Sequence, residues 1–266
     1  MLNRTETIVV EIGGLPVGLR TDAPDFARLL SQHYSEFVNP AATPAFEFRV
    51  ELLPPGVPTG DEDVRVRQLN GSWMVERGDF HAQWNLANRR GWVRQSASPY
   101  GIDSLLRILH TVALASESGF LVHAASAIRN SRAYVFAGRS GAGKTTLARL
   151  APPDVTLLSD EISYVRRVDD GYVAFGTPFA GELTQPGENT SAPLAALYLL
   201  EQGPAARVEP LPEAEAVRRL LQNILFFAED AALVEKVFET ACEFTRRVPV
   251  ARLVFPPDAR AWEAIG

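Results

Sequence analysis

The sequence contains little lysine, a single cysteine and no long apolar run. Lys144 and Lys236 are its two lysines, so arginine supplies nearly all of the 26 basic residues. Cys242 stands alone and therefore cannot form an intramolecular disulfide. No stretch of about 18 or more apolar residues offers a membrane span, and the first residues lack the features of a secretory signal. These absences predict a cytoplasmic protein with no membrane partner.

A basic excess is also absent. The formal net charge is −6 and the isoelectric point is about 5.4, whereas nucleic-acid-binding proteins usually concentrate basic residues on one face. We therefore expect no nucleic-acid partner. The 266 residues, of which 46% are hydrophobic, suffice for one large domain or two modest ones with a real core.

The first hundred residues alternate short β-like runs with turn clusters, which predicts a β-rich N-terminal module over residues 1–98. Residues 25–37 are expected to form a helix, and residues 54–63 resemble a linker most closely. The predicted strands cover residues 7–12, 46–52, 64–69, 72–77, 80–84 and 91–95. We assign substrate recognition to this module as a hypothesis.

Residues 99–266 have the pattern of a larger α/β domain. A buried helix is expected up to about Glu117, and residues 120–128 and 133–137 should pair as a hairpin. Further strands are predicted at 155–158, 194–200 and 250–255, with a hairpin around 169–171 between the first two and residues 250–255 closing the sheet. Further helices are predicted at 145–150, 213–226 and 230–244.

The most specific motif is a complete GxxxxGKT loop between a predicted strand and a predicted helix. Its glycines allow successive backbone N–H groups to point at phosphates, Lys144 would reach the terminal phosphates and Thr145 would hold Mg²⁺. The motif therefore predicts ATP and Mg²⁺ as ligands. The predicted nucleotide-binding residues are Gly138, Arg139, Ser140, Gly141, Ala142, Gly143, Lys144, Thr145 and Thr146.

Asp160 and Glu161 end the next apolar strand, and Asp160 lies only 16 residues after Lys144. A carboxylate at a strand end can bind a metal ion or accept the proton of an attacking hydroxyl group. The predicted metal ligands are thus Thr145, Asp160 and Glu161. A plain metal-binding strand end in an ATPase, or a solvated acidic corner, would also fit these two residues.

His123 lies on the strand before the loop-bearing strand. It would approach the phosphates only if it sits at the rim of the sheet, and a lone histidine in an apolar strand is more often a core residue. The other histidines, His33, His81 and His110, have no paired ligands and are interpreted as structural.

The order and spacing of these residues resemble HPr kinase/phosphorylase and its relatives, bacterial kinases that phosphorylate serine. The match runs from residue 122 to 161, and the loop 176–182, the closing strand and Trp262 look like the HPr-kinase-related members. The resemblance implies a mixed-sheet P-loop kinase core similar to the C-terminal domain of HPr kinase.

For this chain, the resemblance implies that residues 138–145 bind the phosphates of ATP and that Asp160 is the base that accepts the serine proton. His123 would handle the γ-phosphate or a proton, and Glu161 would assist the metal. HPr kinase usually has two aspartates at the acidic pair and a later Gly/Arg-rich signature that this chain lacks. HPr as substrate, phosphorolysis and a hexamer are therefore not implied, and whether the chain forms a homo-oligomer stays open.

The loop 176–182 has glycines flanking a Pro-aromatic pair, which suits a segment that closes over a substrate. Thr177 and Glu182 are its candidate substrate-contacting residues. A simple surface connection fits the same pattern.

The sequence therefore predicts an ATP- and Mg²⁺-dependent kinase that acts on a serine hydroxyl of a peptide, a protein or the free amino acid. A non-catalytic ATP-binding regulator or ATPase switch is the alternative. An enzyme resembling phosphoenolpyruvate carboxykinase would need a further lysine near a metal. Lys236, in a predicted C-terminal helix, does not provide it.

Overall fold

The computed structural model describes residues 5–54 and 64–265. The chain divides into two compact units, Met1–Leu109 with Phe227–Ala231, and His110–Phe226 with Ala232–Gly266. This division lies inside a helix that begins at Pro99, whereas the predicted boundary after residue 98 lies just before that helix. Of the predicted linker 54–63, only Pro54 is among the described residues.

The first unit contains a seven-stranded mixed sheet and a helix, α1 (Pro24–His33), followed by a 3₁₀ turn (Ser35–Phe37). The strand order is β1-β2-β3-β7-β6-β5-β4, with β2, β3 and β7 parallel and the other pairs antiparallel. The strands are β1 (Glu6–Ile12), β2 (Leu15–Thr21), β3 (Phe46–Leu52), β4 (Arg65–Leu69), β5 (Ser72–Arg77), β6 (Phe80–Asn85) and β7 (Arg90–Gln95). The predicted four-stranded meander, β4 to β7, is confirmed.

Two local features of this unit differ from the prediction. Strand β2 was not predicted, because Pro16, Gly18 and Arg20 interrupt its apolar pattern. It pairs with β1 through a two-residue turn in which Gly13 and Gly14 both have positive φ angles, 60° and 79°. The helix predicted over 25–37 ends at His33, and a separate turn follows.

The second unit contains a nine-stranded mixed sheet, so the chain is a mixed α/β protein with two mixed sheets. Its strands are β8 (Gly119–Arg129), β9 (Arg132–Ala137), β10 (Thr156–Ser159), β11 (Ile162–Val168), β12 (Gly171–Phe175), β13 (Ser191–Gln202), β14 (Arg207–Pro210), β15 (Ile224–Leu225) and β16 (Val250–Phe255). The remaining helices are α2 (Pro99–Ser116), which spans the division, α3 (Lys144–Arg149), α4 (Glu213–Leu221), α5 (Ala231–Arg247) and α6 (Arg260–Glu263).

The predicted hairpin of β8 and β9 is confirmed, with registers running from Ala124↔Ala137 to Arg129↔Arg132. Strand β9 is parallel to β13, and β13 is parallel to β16. The pairings β8–β9, β9–β13, β13–β12, β12–β11 and β11–β8 form a closed circuit. Strand β16 does not close the sheet as predicted, because the short, polar β14 pairs with its outer edge.

The apolar residues of β8 and β9 are buried on both faces of the sheet. On one face, Val122 and Ala124 belong to a core that includes Phe244 of α5. On the other face, Ala125 and Ala127 belong to a core that includes Leu147 of α3. Because side chains alternate along a strand, His123 shares the second face with Ala125. The face that carries α3 is therefore also the face of His123.

Trp262 of α6 fastens α3 to this second face. Its indole N–H donates to the carbonyl oxygen of Leu147 at 3.0 Å, and its ring meets Phe136 of β9 edge-on. The short helix that follows the GxxxxGKT loop is thus fixed at its apolar side. None of the helices formed by the described residues is long and apolar enough to cross a membrane.

His110 of α2 is fully buried, and neither of its ring nitrogens has a hydrogen-bond partner among the described residues. Its ring packs edge-on against Tyr164, with the centroids 5.5 Å apart. Burial lowers the pKa of His110 from 6.5 to about 3, so the imidazole is neutral in the folded protein near neutral pH.

The folded-state pKa of His110 lies below its unfolded value, so the unfolded chain binds this proton first as the pH falls. The stability contributed by neutral His110 is therefore present above pH 6.5 and is lost between pH 6.5 and about 3. We expect His110→Leu to make the free energy of unfolding less pH-dependent in this window, by up to about 1.4 kcal/mol per pH unit. Urea unfolding at a series of pH values measures this slope. An identical slope in the variant and the wild type would contradict the assignment, and His81→Leu is the control substitution.

Candidate functional site

The GxxxxGKT loop connects β9 to α3, and its glycines are required by its backbone. Gly141 and Gly143 have φ angles of 79° and 107°, a region that residues with a side chain rarely adopt. A Cβ atom on Gly143 would also lie 2.8 Å from the ring of Phe255 at the end of β16. The glycine spacing of the motif thus follows from both conformation and packing.

The loop folds back on itself and is held at its tip. A Cβ atom on Gly138 would lie 2.8 Å from the Cβ of Ala142, and the N–H of Ala142 donates to the carbonyl of Arg139 at 3.0 Å. Gln202, the last residue of β13, donates from Nε2 to the carbonyl oxygen of Gly141 at 2.7 Å. The neighbouring parallel strand therefore positions the loop.

Lys144 lies within the loop and is only 8% exposed. Its Nζ donates to the carbonyl oxygen of Gly138 at 2.9 Å and to that of Arg139 at 3.4 Å. Burial lowers the pKa of Lys144, while the carboxylates of Glu161 and Glu182 act in the opposite direction. The ammonium group thus has two carboxylates in its electrostatic surroundings.

A cavity of about 260 Å³, called here the inner cavity, brings most of the predicted site residues together. It contains the predicted catalytic residues, the predicted metal ligands and much of the loop. Its lining consists of His123, Ser140, Gly141, Gly143, Lys144, Thr145, Thr146, Asp160, Glu161, Glu182 and Gln202. Of the predicted site residues, Gly138, Arg139, Ala142 and Thr177 do not line it.

Asp160 is 6% exposed and follows β10 directly. Its Oδ1 accepts a hydrogen bond from the backbone N–H of Gly181 at 2.8 Å, and its Oδ2 accepts one from that of Leu183 at 2.9 Å. Each oxygen keeps a second lone pair for a metal ion or a hydroxyl group. The Asp160 carboxylate therefore holds the loop between β12 and β13 in place, and it also lines the inner cavity.

Glu161 lies against the same loop. A Cβ atom on Gly181 would overlap the carboxylate of Glu161 and would lie 2.9 Å from Oδ2 of Asp160, so a larger residue at position 181 would force these side chains to shift. The charge of Glu161 acts to raise the pKa values of both Lys144 and His123. Glu161 is thus the carboxylate that interacts with both basic groups of the inner cavity.

His123 of β8 lines the inner cavity. It pairs with Ile162 of β11, and its backbone N–H donates to the carbonyl oxygen of Asn223 at 2.8 Å. Burial is the main cause that lowers the pKa of His123, and the charge of Lys144 adds to it, while Glu161 opposes both. The half-buried imidazole is therefore neutral at pH 7.

The loop between β12 and β13 is anchored at its base by Thr177. This residue is fully buried. Its Oγ1 donates to the carbonyl oxygen of Ile162 at 2.7 Å, and its backbone N–H donates to the carbonyl oxygen of Leu158 at 3.0 Å. Both polar groups of Thr177 thus bind neighbouring strands, and its contact with a substrate stays a prediction. Glu182 does line the inner cavity, 4.0 Å from the exposed Arg149.

Gln202 and Gly181 are site residues that the sequence did not reveal. Gln202 is a polar residue at the end of an apolar strand, which is a usable signal. Its contact with the loop follows only from the pairing of β13 with β9, which a single sequence does not specify. Gly181 was predicted as part of the loop, without its contact to the carboxylates.

The donor set suits a cation that keeps water or phosphate ligands. The described residues contain no group of three or more His, Cys, Asp or Glu side chains that could hold a metal ion by themselves. Thr145, Asp160 and Glu161 supply one hydroxyl group and two carboxylates at the inner cavity. Mg²⁺ is usually bound in this way, through one or two carboxylates together with substrate phosphates and water.

Comparison with known proteins gives one family match. Residues 100–266 match the family described as "ScmC: SynChlorMet cassette protein ScmC". None of the curated proteins with which the chain was compared matches it.

Among solved structures, the chain is similar to the Hpr(Ser) kinase/phosphatase from Coxiella burnetii. The match covers 51% of this chain and 78% of the Coxiella chain. The sequence identity is 9% and the TM-score is 0.29. A likeness at this level supports no conclusion about activity.

The anchoring role of Thr177 predicts the effect of its substitution. Thr177→Val removes the buried hydroxyl and leaves the carbonyl of Ile162 without its donor, which should lower the free energy of unfolding by about 1–3 kcal/mol. Thr177→Ser keeps the hydroxyl and should retain most of this stability. Urea unfolding of both variants tests the role, and wild-type stability for Thr177→Val would disprove it.

Proposed function

The chain belongs to the ScmC family, and we propose that it is a phosphotransferase that moves the γ-phosphate of ATP to a hydroxyl group. The acceptor we propose is a serine in a peptide, in a protein or as the free amino acid. The observation that carries the proposal is the meeting of Lys144, Asp160, Glu161 and His123 in the inner cavity. Phosphoryl transfer requires mainly positioning and charge neutralisation, which these groups can supply.

In this proposal the loop 138–145 binds the β- and γ-phosphates through its backbone N–H groups and Lys144. The Nζ of Lys144 now donates to two neutral loop carbonyls, and bonds to anionic phosphate oxygens would replace these interactions. Because the carbonyls of Gly138 and Arg139 hold the ammonium group within the loop, it lies close to where the phosphates would bind.

Thr145, Asp160 and Glu161 would hold Mg²⁺. The bound ion would neutralise negative charge on the phosphates and polarise the γ-phosphoryl group. The N–H groups of Gly181 and Leu183 orient the Asp160 carboxylate, so its remaining lone pairs point in fixed directions.

Asp160 is proposed as the base. The acceptor oxygen forms a bond to the γ-phosphorus, the bond between that phosphorus and the oxygen bridging to the β-phosphate breaks, and the acceptor proton passes to Asp160. Neutral His123, which also lines the inner cavity, can donate an N–H to a γ-phosphate oxygen. The products would be ADP and a phosphorylated hydroxyl group.

One observation favours a second candidate function, a nucleotide-dependent regulator. Both oxygens of Asp160 bind the loop that includes Gly181 and Leu183, so a ligand that moved this carboxylate would also move the loop. Such a regulator would bind ATP without needing Asp160 for turnover.

The two lysines allow a closely matched test of phosphate binding. Lys144→Ala should lower phosphotransfer at least about 100-fold, because the buried ammonium stabilises charge on the transferring group. Lys236→Ala removes the same group from the exposed surface of α5 and should leave the rate unchanged. Transfer of radiolabel from ATP to free serine and to an array of serine peptides measures the rate, with melting temperature as the check on folding. Equal rates for the two variants would refute the assigned role of Lys144.

Asp160→Asn separates the kinase from the regulator. The amide keeps one acceptor oxygen for the loop but cannot take a proton, so we expect phosphotransfer to fall about 100-fold or more while Mg–ATP affinity changes only a few-fold. Isothermal titration calorimetry and the label-transfer assay measure the two quantities. Wild-type protein that binds Mg–ATP but transfers no phosphate to any acceptor, even in the peptide array, would favour the regulator.

A further inference from the structure

A second cavity of about 460 Å³, called here the outer cavity, lies on the other side of the phosphate-binding loop. It is bounded by the loop, the end of β13 and the last turn of α4. Its lining consists of Ala137, Gly138, Arg139, Ser140, Gly141, Ala142, Leu199, Leu200, Glu201, Gln202, Arg218, Arg219, Gln222 and Asn223. Nothing in the proposed phosphoryl-transfer step uses this cavity.

The two cavities adjoin each other at the loop tip. Ser140, Gly141 and Gln202 line both of them. Sites that enclose a whole small-molecule ligand usually measure about 300–1,000 Å³, so the inner cavity of about 260 Å³ is small for a complete nucleotide. The outer cavity, at about 460 Å³, has room for the remainder.

The position of the outer cavity fits the end of the nucleotide that does not react. It lies beyond the carboxyl ends of the parallel strands β9 and β13, the usual place for a ligand in an α/β sheet. His123, Asp160 and Glu161 are not part of its lining. An acceptor hydroxyl bound there would therefore lie across the loop from the proposed base.

The charges of the outer cavity favour an anionic ligand. Arg139, Arg218 and Arg219 contribute three guanidinium groups, of which Arg219 already pairs with Glu215 at 2.6 Å. Among the described residues that line the cavity, Glu201 is the one acidic side chain. The carboxylate of Glu201 already accepts a hydrogen bond from Arg252 at 3.2 Å. An α-phosphate would meet this surplus of positive charge.

The other lining groups suit a ribose and a base. The planes of arginine guanidinium groups stack on aromatic rings, and the side-chain amides of Gln222 and Asn223 can donate and accept hydrogen bonds. Leu199 and Leu200 provide apolar contact.

The wall that carries these groups is fixed in place. The carbonyl of Asn223 accepts the N–H of His123 at 2.8 Å, and β15, which follows directly, pairs with β8. The end of α4 is therefore tied to the strand that carries His123, which makes the outer cavity a preformed site.

We propose that the outer cavity binds the nucleoside 5′-phosphate part of the phosphate donor, with Arg218 at the α-phosphate or stacked on the base. This inference rests on the proposed function, since it assumes that the loop holds the β- and γ-phosphates. It adds a site that recognises the phosphate donor, and it assigns the acceptor hydroxyl group to the inner cavity.

The test compares Mg–ATP with Mg–tripolyphosphate, which has the phosphates but no nucleoside, by isothermal titration calorimetry. Wild-type protein should bind Mg–ATP at least tenfold more tightly. Arg218→Ala should weaken Mg–ATP binding roughly tenfold and change Mg–tripolyphosphate binding less than about twofold. Arg246→Ala removes the same charge from an exposed position of α5, where Arg246 pairs with Glu213, and should change neither affinity.

Four results would overturn the proposal or its premise. Equal wild-type affinities for the two ligands, or an equal loss of both affinities in Arg218→Ala, would refute a nucleoside site while leaving the proposed function intact. Unchanged Mg–ATP affinity with a raised KM for a serine peptide in Arg218→Ala would assign the cavity to the acceptor. Wild-type protein that binds neither ligand would instead refute the proposed function. Gln222→Ala, at another exposed residue, repeats the comparison if Arg218→Ala fails to fold.

Discussion

The candidate site depends on the pairing of β8 with a neighbour along each of its edges, and the two pairings meet at one residue, Ala124. On one edge Ala124 is in register with Ala137, the last residue before the GxxxxGKT loop. On the other edge its N–H donates to the carbonyl of Glu161 at 2.9 Å. Neighbouring strands lie about 4.8 Å apart, so the loop and the acidic pair are held within roughly 10 Å of each other. His123 precedes Ala124 and so lies between them.

Much of this arrangement was readable from the sequence because it is local. The hairpin of β8 and β9, the glycines of the loop, and Asp160 and Glu161 after the next strand all lie within about 40 residues, and their order left few pairings open. The sequence did not show that β13 lies beside β9, because that contact joins distant segments. The contact of Gln202 with Gly141 and the buried position of Thr177 follow from such non-local pairings. Strand β2 was missed for a local reason, since its proline and glycine weaken the strand pattern.

Asp160 combines two tasks that impose different demands. As an anchor it must accept N–H groups from Gly181 and Leu183 with both of its oxygens. As the proposed base it must accept a proton at the moment of transfer. Within the part of the chain that the structure describes, the carboxylate of Glu161 accepts no such backbone N–H, and its charge acts on Lys144 and His123. The two adjacent carboxylates therefore differ in their surroundings. Adjacent residues with unlike environments can take unlike parts in one reaction.

The closed circuit of β8, β9, β13, β12 and β11 also affects how the protein behaves at high concentration. Among the described residues, closure leaves these five strands without a free edge in the sheet, and free edges are where chains pair with one another and aggregate. The edges that remain are β10 and β14, of four residues each, and β15, of two. Strand β14 also carries Arg207, Glu209 and Pro210, residues that discourage edge pairing. The second sheet can thus be rich in apolar strands and still resist assembly into larger sheets.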